Sequence, residues 1–419
     1  MNRKYEEKVN DENLSRVIDK IIKSTKIIDM HTHLFPIQFE ELCLAGIDDL
    51  LNYHYLIAEA MRWIDIPYDE FWSLTQENRS ELIWNYLFAE NSPLSEAATG
   101  VITILNEMGI SIKNKDLNNI RKQFRGIDKH EYISRILDVT GVEKIVMTND
   151  PLDERERELL LKECDPDPRF LYSLRLDKLI NNWADSVNSL NKMGYKVNVE
   201  IDPATIKEVC RFLIDWISKL NPVYIAISLP YAFDFPDETF RTTLFKECLL
   251  PICQEVNKPV ALMVGTKRSV NPKLRLAGDA LGNAKLDSIE YLCTNYSDNK
   301  FLVTMLSREN QHELTVLARK FRNLMIFGCW WFLNIPKIVD EITRIRFELL
   351  GTSFIPQHSD CRVFDQLIYK WKHSLEIIKN ILIEKYEVLI AKGWPLSESD
   401  IKNDINQLLR QNFIDFVNL

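Results

Sequence analysis

The chain has 419 residues, of which 46% are hydrophobic and 27% charged, with a formal net charge of −9. This composition argues against a collagen-like or disordered chain, and the acidic balance argues against nucleic-acid binding as the main function. The sequence contains no run of about 18 apolar residues, so we predict no membrane span. The charged start lacks the apolar stretch of a signal peptide. The eight cysteines form no CxxC pair, which favours reduced thiols. We therefore expect a cytoplasmic globular protein with neither a nucleic-acid nor a membrane partner.

Short, nearly continuous apolar runs recur along the chain, and several are followed by a helical pattern. Such runs are typical of parallel strands that are buried on both faces. Eight of them stand at residues 26–33, 143–149, 170–175, 223–229, 259–264, 300–306, 323–329 and 353–358. Amphipathic helices are predicted at 237–256, 309–322 and 336–350, the last ending at Gly351. This repetition predicts an α/β fold of the (β/α)8 TIM-barrel type rather than an open doubly wound sheet.

Two segments depart from the repeat. Residues 40–140 have helical patterns and are too long for a structureless loop in a compact domain, so we expect a helical insertion over the barrel mouth. Residues 362–419 predict closing helices, with a capping box at Ser397 and Asp400. The predicted organisation is therefore 1–39 with an N-terminal helix and the first strand, 40–140 as the insertion, 141–361 with strands two to eight, and 362–419 as the closing helices.

His31 and His33 end the first predicted strand. Residues two apart on a strand project to the same side, and two convergent neutral imidazoles are half of a zinc-type site. Asp360 follows the last predicted strand, which neighbours the first in a closed barrel, and can supply a third ligand that leaves positions open for catalysis. The alternatives are a hydrogen-bonded histidine pair and a loop ion pair. Since the middle strands carry no further ligands, we expect one divalent metal ion.

His54 and Tyr55 lie in the insertion and can give or take a proton from above the barrel mouth. The alternative is a buried pair satisfied by the backbone. Arg362 follows Asp360 closely and can neutralise a substrate oxygen or orient that carboxylate. It can also lower the pKa of a neighbouring phenol, and Tyr55 would then transfer a proton as a tyrosinate or through a water.

Further candidates for substrate binding follow other strands. Arg175 ends the third predicted strand and is a candidate for binding a carboxylate, with a salt bridge to Asp177 as the alternative. Arg308 follows the sixth predicted strand. Trp330 and Trp331 follow the seventh, and their interpretation as pocket wall or as packing stays open.

The chain resembles the uronate isomerases of the amidohydrolase superfamily. The resemblance spans nearly the whole chain, and the stretch from 329 to 371 is specific enough to exclude chance. It is carried by residues 29–36, His54 and Tyr55, residues 304–308, 329–334 and 341–360, Arg362, and residues 366–371 and 393–394.

The resemblance implies a distorted barrel of the metal-dependent hydrolase kind, with the helical insertion and C-terminal helices already predicted. It implies isomerisation of D-glucuronate to D-fructuronate and of D-galacturonate to D-tagaturonate, by proton transfer through a cis-enediol, in uronate catabolism. By similarity, the site comprises the zinc ligands His31, His33 and Asp360, the catalytic residues Tyr55, His54, Asp360 and Arg362, and the substrate-contacting Arg175.

Two departures mark a divergent branch. Many members of the family have Lys-Trp-Arg after the His-Tyr pair, where this chain has residues 56–58 and a displaced Arg62, and Cys361 replaces the usual alanine. Two other functions stay open, namely a mononuclear metal-dependent hydrolase on the same barrel and a non-catalytic sugar-acid-binding protein. Missing ligands on the middle strands weaken the first, and the intact set of candidate residues weakens the second. A homo-oligomer is compatible with these motifs.

Overall fold

A curled sheet of parallel strands forms the centre of the molecule. The computed structural model describes residues 9–10, 12–162 and 167–419, so the charged start and Cys164 lie outside the described residues. Neighbouring strands follow the order β1-β2-β3-β4-β5-β7-β8, and β6 pairs antiparallel with β5. The strands are β1 (Ile27–Thr32), β2 (Val142–Asn149), β3 (Phe170–Arg175), β4 (Ile225–Pro230), β5 (Val260–Lys267), β6 (Ala280–Leu281), β7 (Phe301–Met305) and β8 (Leu324–Ile326). The predicted α/β barrel, with its first seven predicted strands in sequential order, is confirmed.

Residues 353–361 fill the eighth position of the barrel next to β8. The backbone N–H of Ile355 donates to the carbonyl of Ile326 at 3.1 Å, and the N–H of Gly328 donates to the carbonyl of Ile355 at 2.8 Å. Both bonds join Ile355 to β8 and the residues that directly follow it. They attach the segment to the sheet before it turns toward β1.

The same segment reaches β1 through different residues. The N–H of His33 donates to the carbonyl of Cys361 at 2.8 Å, and the N–H of Asp360 donates to the carbonyl of His31 at 3.2 Å. The prediction of a regular strand at 353–358 is wrong, because Pro356 has no N–H to donate and Asp360 has a left-handed φ of 53°. The bend closes the barrel and brings Asp360 to the carboxyl end of β1.

Helices occupy much of the chain between β1 and β2, where every residue is described. Side-chain caps begin several of them, as at Ser95, whose hydroxyl accepts from the N–H of Ala98 at 3.1 Å. After α1 (Leu14–Ser24), they are α2 (Ile47–Leu51), α3 (His54–Ala60), α4 (Tyr68–Ser73), α5 (Gln76–Trp84), α6 (Glu96–Glu107), α7 (Leu117–Phe124) and α8 (Lys129–Thr140).

The remaining helices cover the outside of the sheet and close the chain. They are α9 (Glu154–Leu161), α10 (Asp177–Asn181), α11 (Trp183–Lys192), α12 (Pro203–Leu220), α13 (Phe240–Leu244), α14 (Leu250–Glu255), α15 (Asp287–Asn295), α16 (Gln311–Ala318), α17 (Pro336–Leu350), α18 (Gln366–Ala391), α19 (Glu398–Asn406) and α20 (Asn412–Val417). Short 3₁₀ segments stand at Ile37–Leu42, Pro272–Gly278, Arg308–Asn310 and Trp331–Leu333, and π turns at Asn85–Ala89, Phe245–Leu249 and Gln407–Gln411. In the described ranges, no helix is long and apolar enough to cross a bilayer.

The predicted helix ends depend on local chemistry. The helix predicted at 336–350 is confirmed as α17, with Gly351 at its end in a positive-φ conformation. The capping box is confirmed at the start of α19, where the Ser397 hydroxyl accepts from the Asp400 N–H at 3.1 Å and the Asp400 carboxylate accepts from the Ser397 N–H at 2.9 Å. The helix predicted at 237–256 is present from Phe240 to Glu255, with a π turn in its middle.

Alternate residues of the strands face the inside and the outside of the barrel. In β1, Ile28 and Met30 pack in the interior with Tyr224, which directly precedes β4, whereas Ile27 packs outward against the helices. Phe413 of α20 belongs to the interior cluster. The interior is therefore a packed core, and functional side chains are expected at its carboxyl end.

Candidate active site

Three predicted metal ligands lie together at the carboxyl end of β1. The Nε2 atoms of His31 and His33 are 3.8 and 3.4 Å from Oδ1 of Asp360, and one ligand atom from each residue lies within 4.8 Å of the others. Oδ1 of Asp360 is buried without a hydrogen-bond partner in the described part of the chain. Two imidazole nitrogens and a carboxylate oxygen are a donor set that fits a divalent metal ion such as zinc.

A tyrosine inside the barrel decides which nitrogen of His31 faces the cluster. The Tyr224 hydroxyl donates to the carbonyl of Met30 at 2.7 Å, so its oxygen accepts from Nδ1–H of His31 at 3.0 Å. The Nε2 lone pair of His31 then points toward Asp360. Burial lowers the pKa of His31 to about 3, which keeps the imidazole neutral.

His33 is oriented by the same logic through β2. The Thr148 hydroxyl donates to the carbonyl of Thr32 at 3.1 Å and therefore accepts from Nδ1–H of His33 at 2.9 Å. Burial holds the pKa of His33 well below its ordinary value, and the positive charge of Arg362 lowers it further. The hydroxyl groups thus fix the tautomer of both histidines, and burial keeps both rings in the neutral form that ligates metal ions.

A third histidine, His358, is fully buried beside the cluster, and sequence reasoning missed it as a site residue. Its ring centroid lies 5.5 Å from that of His31, and neither of its nitrogens has a hydrogen-bond partner in the described residues. Its Nδ1 would be 1.7 Å from a Cβ at Gly328, so the ring needs a glycine there. Burial lowers the pKa of His358 to about 3, and the ring is therefore neutral.

His54 begins α3 and faces the cluster from the insertion. Its ring centroid lies 4.5 Å from that of Tyr55 and 5.9 Å from that of Trp331. Both ring nitrogens are buried and lack a hydrogen-bond partner in the described ranges. Burial, followed by the positive charge of Arg362, holds the pKa of His54 well below its ordinary value. A neutral imidazole with free nitrogens can accept a proton from a bound ligand or from a neighbouring group.

Tyr55 differs in its electrostatics from the sequence expectation. Burial raises the pKa of Tyr55 well above its ordinary value, and Tyr53 and Asp360 raise it further. The lowering effect of Arg362 falls on Tyr53, whose pKa burial nevertheless raises. These surroundings do not support the expectation that Arg362 makes Tyr55 a tyrosinate. Sequence reasoning missed Tyr53, although it directly precedes the predicted pair.

Arginines surround the cluster on several sides. The guanidinium of Arg362 makes no hydrogen bond within the described chain, and burial lowers its pKa, as do the charges of Arg175 and Arg268. Arg175 forms a salt bridge with Asp177, to which it donates at 2.7 and 3.0 Å. This salt bridge was the alternative to a substrate carboxylate in the sequence analysis. Sequence reasoning missed Arg268, although it directly follows the carboxyl end of β5. Closely placed positive charges of this kind favour an anionic ligand.

The remaining predicted substrate residues have different surroundings. Trp331 lies between His54 and Arg268, with the guanidinium carbon of Arg268 5.4 Å from its ring centroid. Trp330 is buried and packs in the interior cluster. Arg308 is more than half exposed and pairs with Glu341 at 3.0 Å. A substrate contact of Arg308 therefore stays a prediction that no observed contact supports.

Comparison with solved structures gives one close and several distant matches, whereas neither the family models nor the curated proteins give a match. A uronate isomerase from Bacillus halodurans C-125 is 48% identical, with 98% of this chain and 97% of that chain covered and a TM-score of 0.96. A glucuronate isomerase from Caulobacter crescentus is 14% identical, covering 97% of this chain and 94% of that chain, with a TM-score of 0.79. A uronate isomerase from Thermotoga maritima is also 14% identical, covering 97% and 99%, with a TM-score of 0.77.

The two distant structures show the shared fold, whereas the close one also shows the family. An identity of 48% over nearly the full length of both chains is far above what a shared fold alone requires. The protein belongs to the uronate isomerase family.

Proposed function

We propose that the protein interconverts D-glucuronate and D-fructuronate, and D-galacturonate and D-tagaturonate, as an aldose–ketose isomerase. The observation that carries the proposal is the guanidinium of Arg362, which has no hydrogen-bond partner among the described residues and lies beside the His31–His33–Asp360 cluster in a site rich in positive charge. Such a site suits a substrate that is an anion and develops further negative charge on its oxygens. The close relative that is named a uronate isomerase supports the same conclusion.

The reaction moves a carbonyl group along an open-chain sugar acid. A proton leaves carbon 2 of the α-hydroxy aldehyde and a proton is added to the oxygen of carbon 1, which gives the enediol. The hydroxyl proton of carbon 2 then leaves and a proton is delivered to carbon 1, which gives the ketose. The cis-enediol between the two sugars needs a proton carrier and stabilisation of its oxygens.

His31, His33 and Asp360 would hold one divalent metal ion, and we propose zinc because the donors are two imidazole nitrogens and one carboxylate oxygen. When bound, a zinc ion supplies Lewis-acid polarisation and an anchor for substrate oxygens. A carboxylate oxygen of Asp360 can accept the anomeric hydroxyl proton when the pyranose opens and return a proton to the ring oxygen that leaves carbon 1.

Tyr55 and His54 are the proposed proton carriers. Burial keeps Tyr55 a phenol in the resting site, and the neutral ring of His54 lies beside it with both nitrogens free of partners among the described residues. His54 can take the phenol proton as the Tyr55 oxygen takes the proton from carbon 2, directly or through a water. Arg362 is placed to stabilise the developing enediolate oxygens, and Arg175 to bind the carboxylate once it is released from Asp177.

Proton NMR of the metal-analysed protein in heavy water, with each uronate in turn, tests the proposal. We expect ketose formation with solvent deuterium at carbon 1, because the transferred proton passes through exchangeable side chains. Ketose without deuterium would keep the isomerase but contradict the exchangeable proton route. No turnover of either sugar by protein that carries one metal ion per chain would contradict the function, and a screen with esters, lactones and amides would then test for a hydrolase.

A further inference from the structure

The segment between β5 and β7 folds back at the carboxyl end of the barrel. Its short strand β6 pairs antiparallel with the end of β5, where Thr266 faces Leu281 and Lys267 faces Ala280. The 3₁₀ turn Pro272–Gly278 lies between these strands. This segment, residues 268–281, is called the β5–β6 loop below.

The β5–β6 loop is docked on the helical insertion. The indole Nε1 of Trp72 donates to the carbonyl of Lys273 at 2.8 Å, and the guanidinium carbon of Arg275 lies 4.4 Å from the Trp72 ring centroid. The amide of Asn271 donates to the Tyr68 hydroxyl at 3.3 Å. The insertion that carries His54 thus holds the loop in position.

Arg268 is the first residue of this loop, and its side chain is held on two sides. Nη1 donates to Oδ2 of Asp279 at 2.5 Å, and the other oxygen of Asp279 accepts from the N–H of Ser269 at 2.8 Å. The guanidinium carbon lies 5.4 Å from the Trp331 ring centroid. The carboxylate and the indole together fix the direction of the guanidinium.

The guanidinium of Arg268 lies next to the site, because the Trp331 ring that it contacts has its centroid 5.9 Å from that of His54. Its positive charge contributes to lowering the pKa of His33, of His54 and of Arg362. The side chain is 46% exposed, and within the described chain the guanidinium makes its only hydrogen bond through Nη1. The other N–H groups are therefore available to oxygens of a bound molecule.

We propose that Arg268 is a substrate-binding residue that contacts oxygens of the sugar chain at the end remote from the His31–His33–Asp360 cluster. The proposal rests on the proposed isomerase function. Arg268 and Trp331 would fix that end of the chain, while the His31–His33–Asp360 cluster holds the opposite end.

Arg268→Gln and Arg268→Lys test the contact. We expect kcat/KM to fall about 10- to 100-fold in Arg268→Gln, the loss typical of a charge-assisted hydrogen bond, with a smaller loss in Arg268→Lys. The loss should be mainly in KM. Asp279→Asn leaves the guanidinium but removes its main restraint, and should raise KM less than Arg268→Gln.

Binding of two non-reacting acids by calorimetry locates the contact independently of turnover. D-Gluconate carries a six-carbon chain, whereas D-glycerate has only three carbons and lacks the end that is proposed to contact Arg268. Arg268→Gln should weaken D-gluconate binding by about the same factor as the loss in kcat/KM and leave D-glycerate binding unchanged. Equal losses for both acids would place Arg268 at the cluster and overturn the remote contact.

Arg211→Gln is the matched control, because Arg211 also pairs with a carboxylate, Glu208 at 2.6 Å, and lies 4.4 Å over the Tyr195 ring. It should leave KM and both affinities unchanged. A wild-type KM and D-gluconate affinity in folded Arg268→Gln would overturn the inference. If Arg268→Gln fails to fold, Arg268→Lys and Asp279→Asn decide it by the same measurements. Failure of the wild-type protein to convert either uronate would instead overturn the proposed function.

Discussion

The indole Nε1 of Trp371 donates a 2.8 Å hydrogen bond to Oδ2 of Asp29, across 342 positions of sequence. The other oxygen of Asp29 accepts from the N–H of Ser359 at 3.1 Å. Burial raises the pKa of this carboxyl group to about 6. Asp29 therefore joins β1, α18 and the segment that carries Asp360, and acts as a positioning residue for the cluster.

Asp29→Asn should weaken metal binding by about 10- to 100-fold, because the new amide NH₂ must face either the N–H of Ser359 or the indole N–H of Trp371. Two donors that face each other repel, which should displace the segment that carries Asp360. Competition with a chelator measures the affinity, and the visible absorption of the cobalt-substituted protein reports ligand geometry. Asp29→Asn/Trp371→Phe removes one donor and should recover part of the affinity, with Trp371→Phe alone as the control. Unchanged affinity in Asp29→Asn would contradict the positioning role.

Tyr224→Phe should also lower metal affinity, because Nδ1–H of His31 loses its acceptor and the ring loses its fixed orientation. The expected loss is about 10-fold or more. Thr148→Val removes the equivalent acceptor of His33, and Thr148→Ser retains it as a matched control. If Thr148→Val and Thr148→Ser bind metal equally well, the hydroxyl does not orient His33.

Gly328→Ala should destabilise the protein, since the new Cβ would lie 1.7 Å from Nδ1 of His358 at a φ of 58°. Displacement of the buried ring should cost about 2–4 kcal/mol of unfolding free energy. Gly109→Ala is the control, because its φ of 71° is similar but no atom lies within 4 Å of the added Cβ. Urea denaturation of both variants separates the collision from the cost of the left-handed backbone, and equal losses would contradict the collision.

Glu156→Gln should be stabilising at alkaline pH. Burial raises the pKa of Glu156 from its ordinary 4.5 to about 8, so the folded protein retains a proton that the unfolded chain releases. Stability from this group is complete below pH 4.5 and is lost as the pH rises to about 8. As the pH rises between these limits, the free energy of unfolding of the variant should increase by about 2–4 kcal/mol relative to that of the wild type. Denaturation at several pH values measures this, with the exposed Glu158→Gln as the control, and a constant difference would contradict the shift.

Local patterns predict the parts of the site that depend on near neighbours. The alternation of a strand places His31 and His33 on one side, and the capping box at Ser397 needs only Asp400, three positions away. Barrel closure predicts that Asp360 approaches β1. Pro356 disfavours a regular strand, but no local pattern predicts the full path of 353–361, because its bend depends on two different neighbours.

The amino-acid sequence by itself determined the α/β barrel and the candidate ligands, because strand periodicity, helix caps and motif spacing are local properties of the chain. The family was indicated by the resemblance of its motifs. Only the tertiary structure decided that burial raises the pKa of Tyr55, that Tyr224 orients His31, and that Arg268 lies beside the site. Burial, charge and hydrogen bonding act between residues brought together from distant parts of the chain, and sequence spacing does not encode those distances.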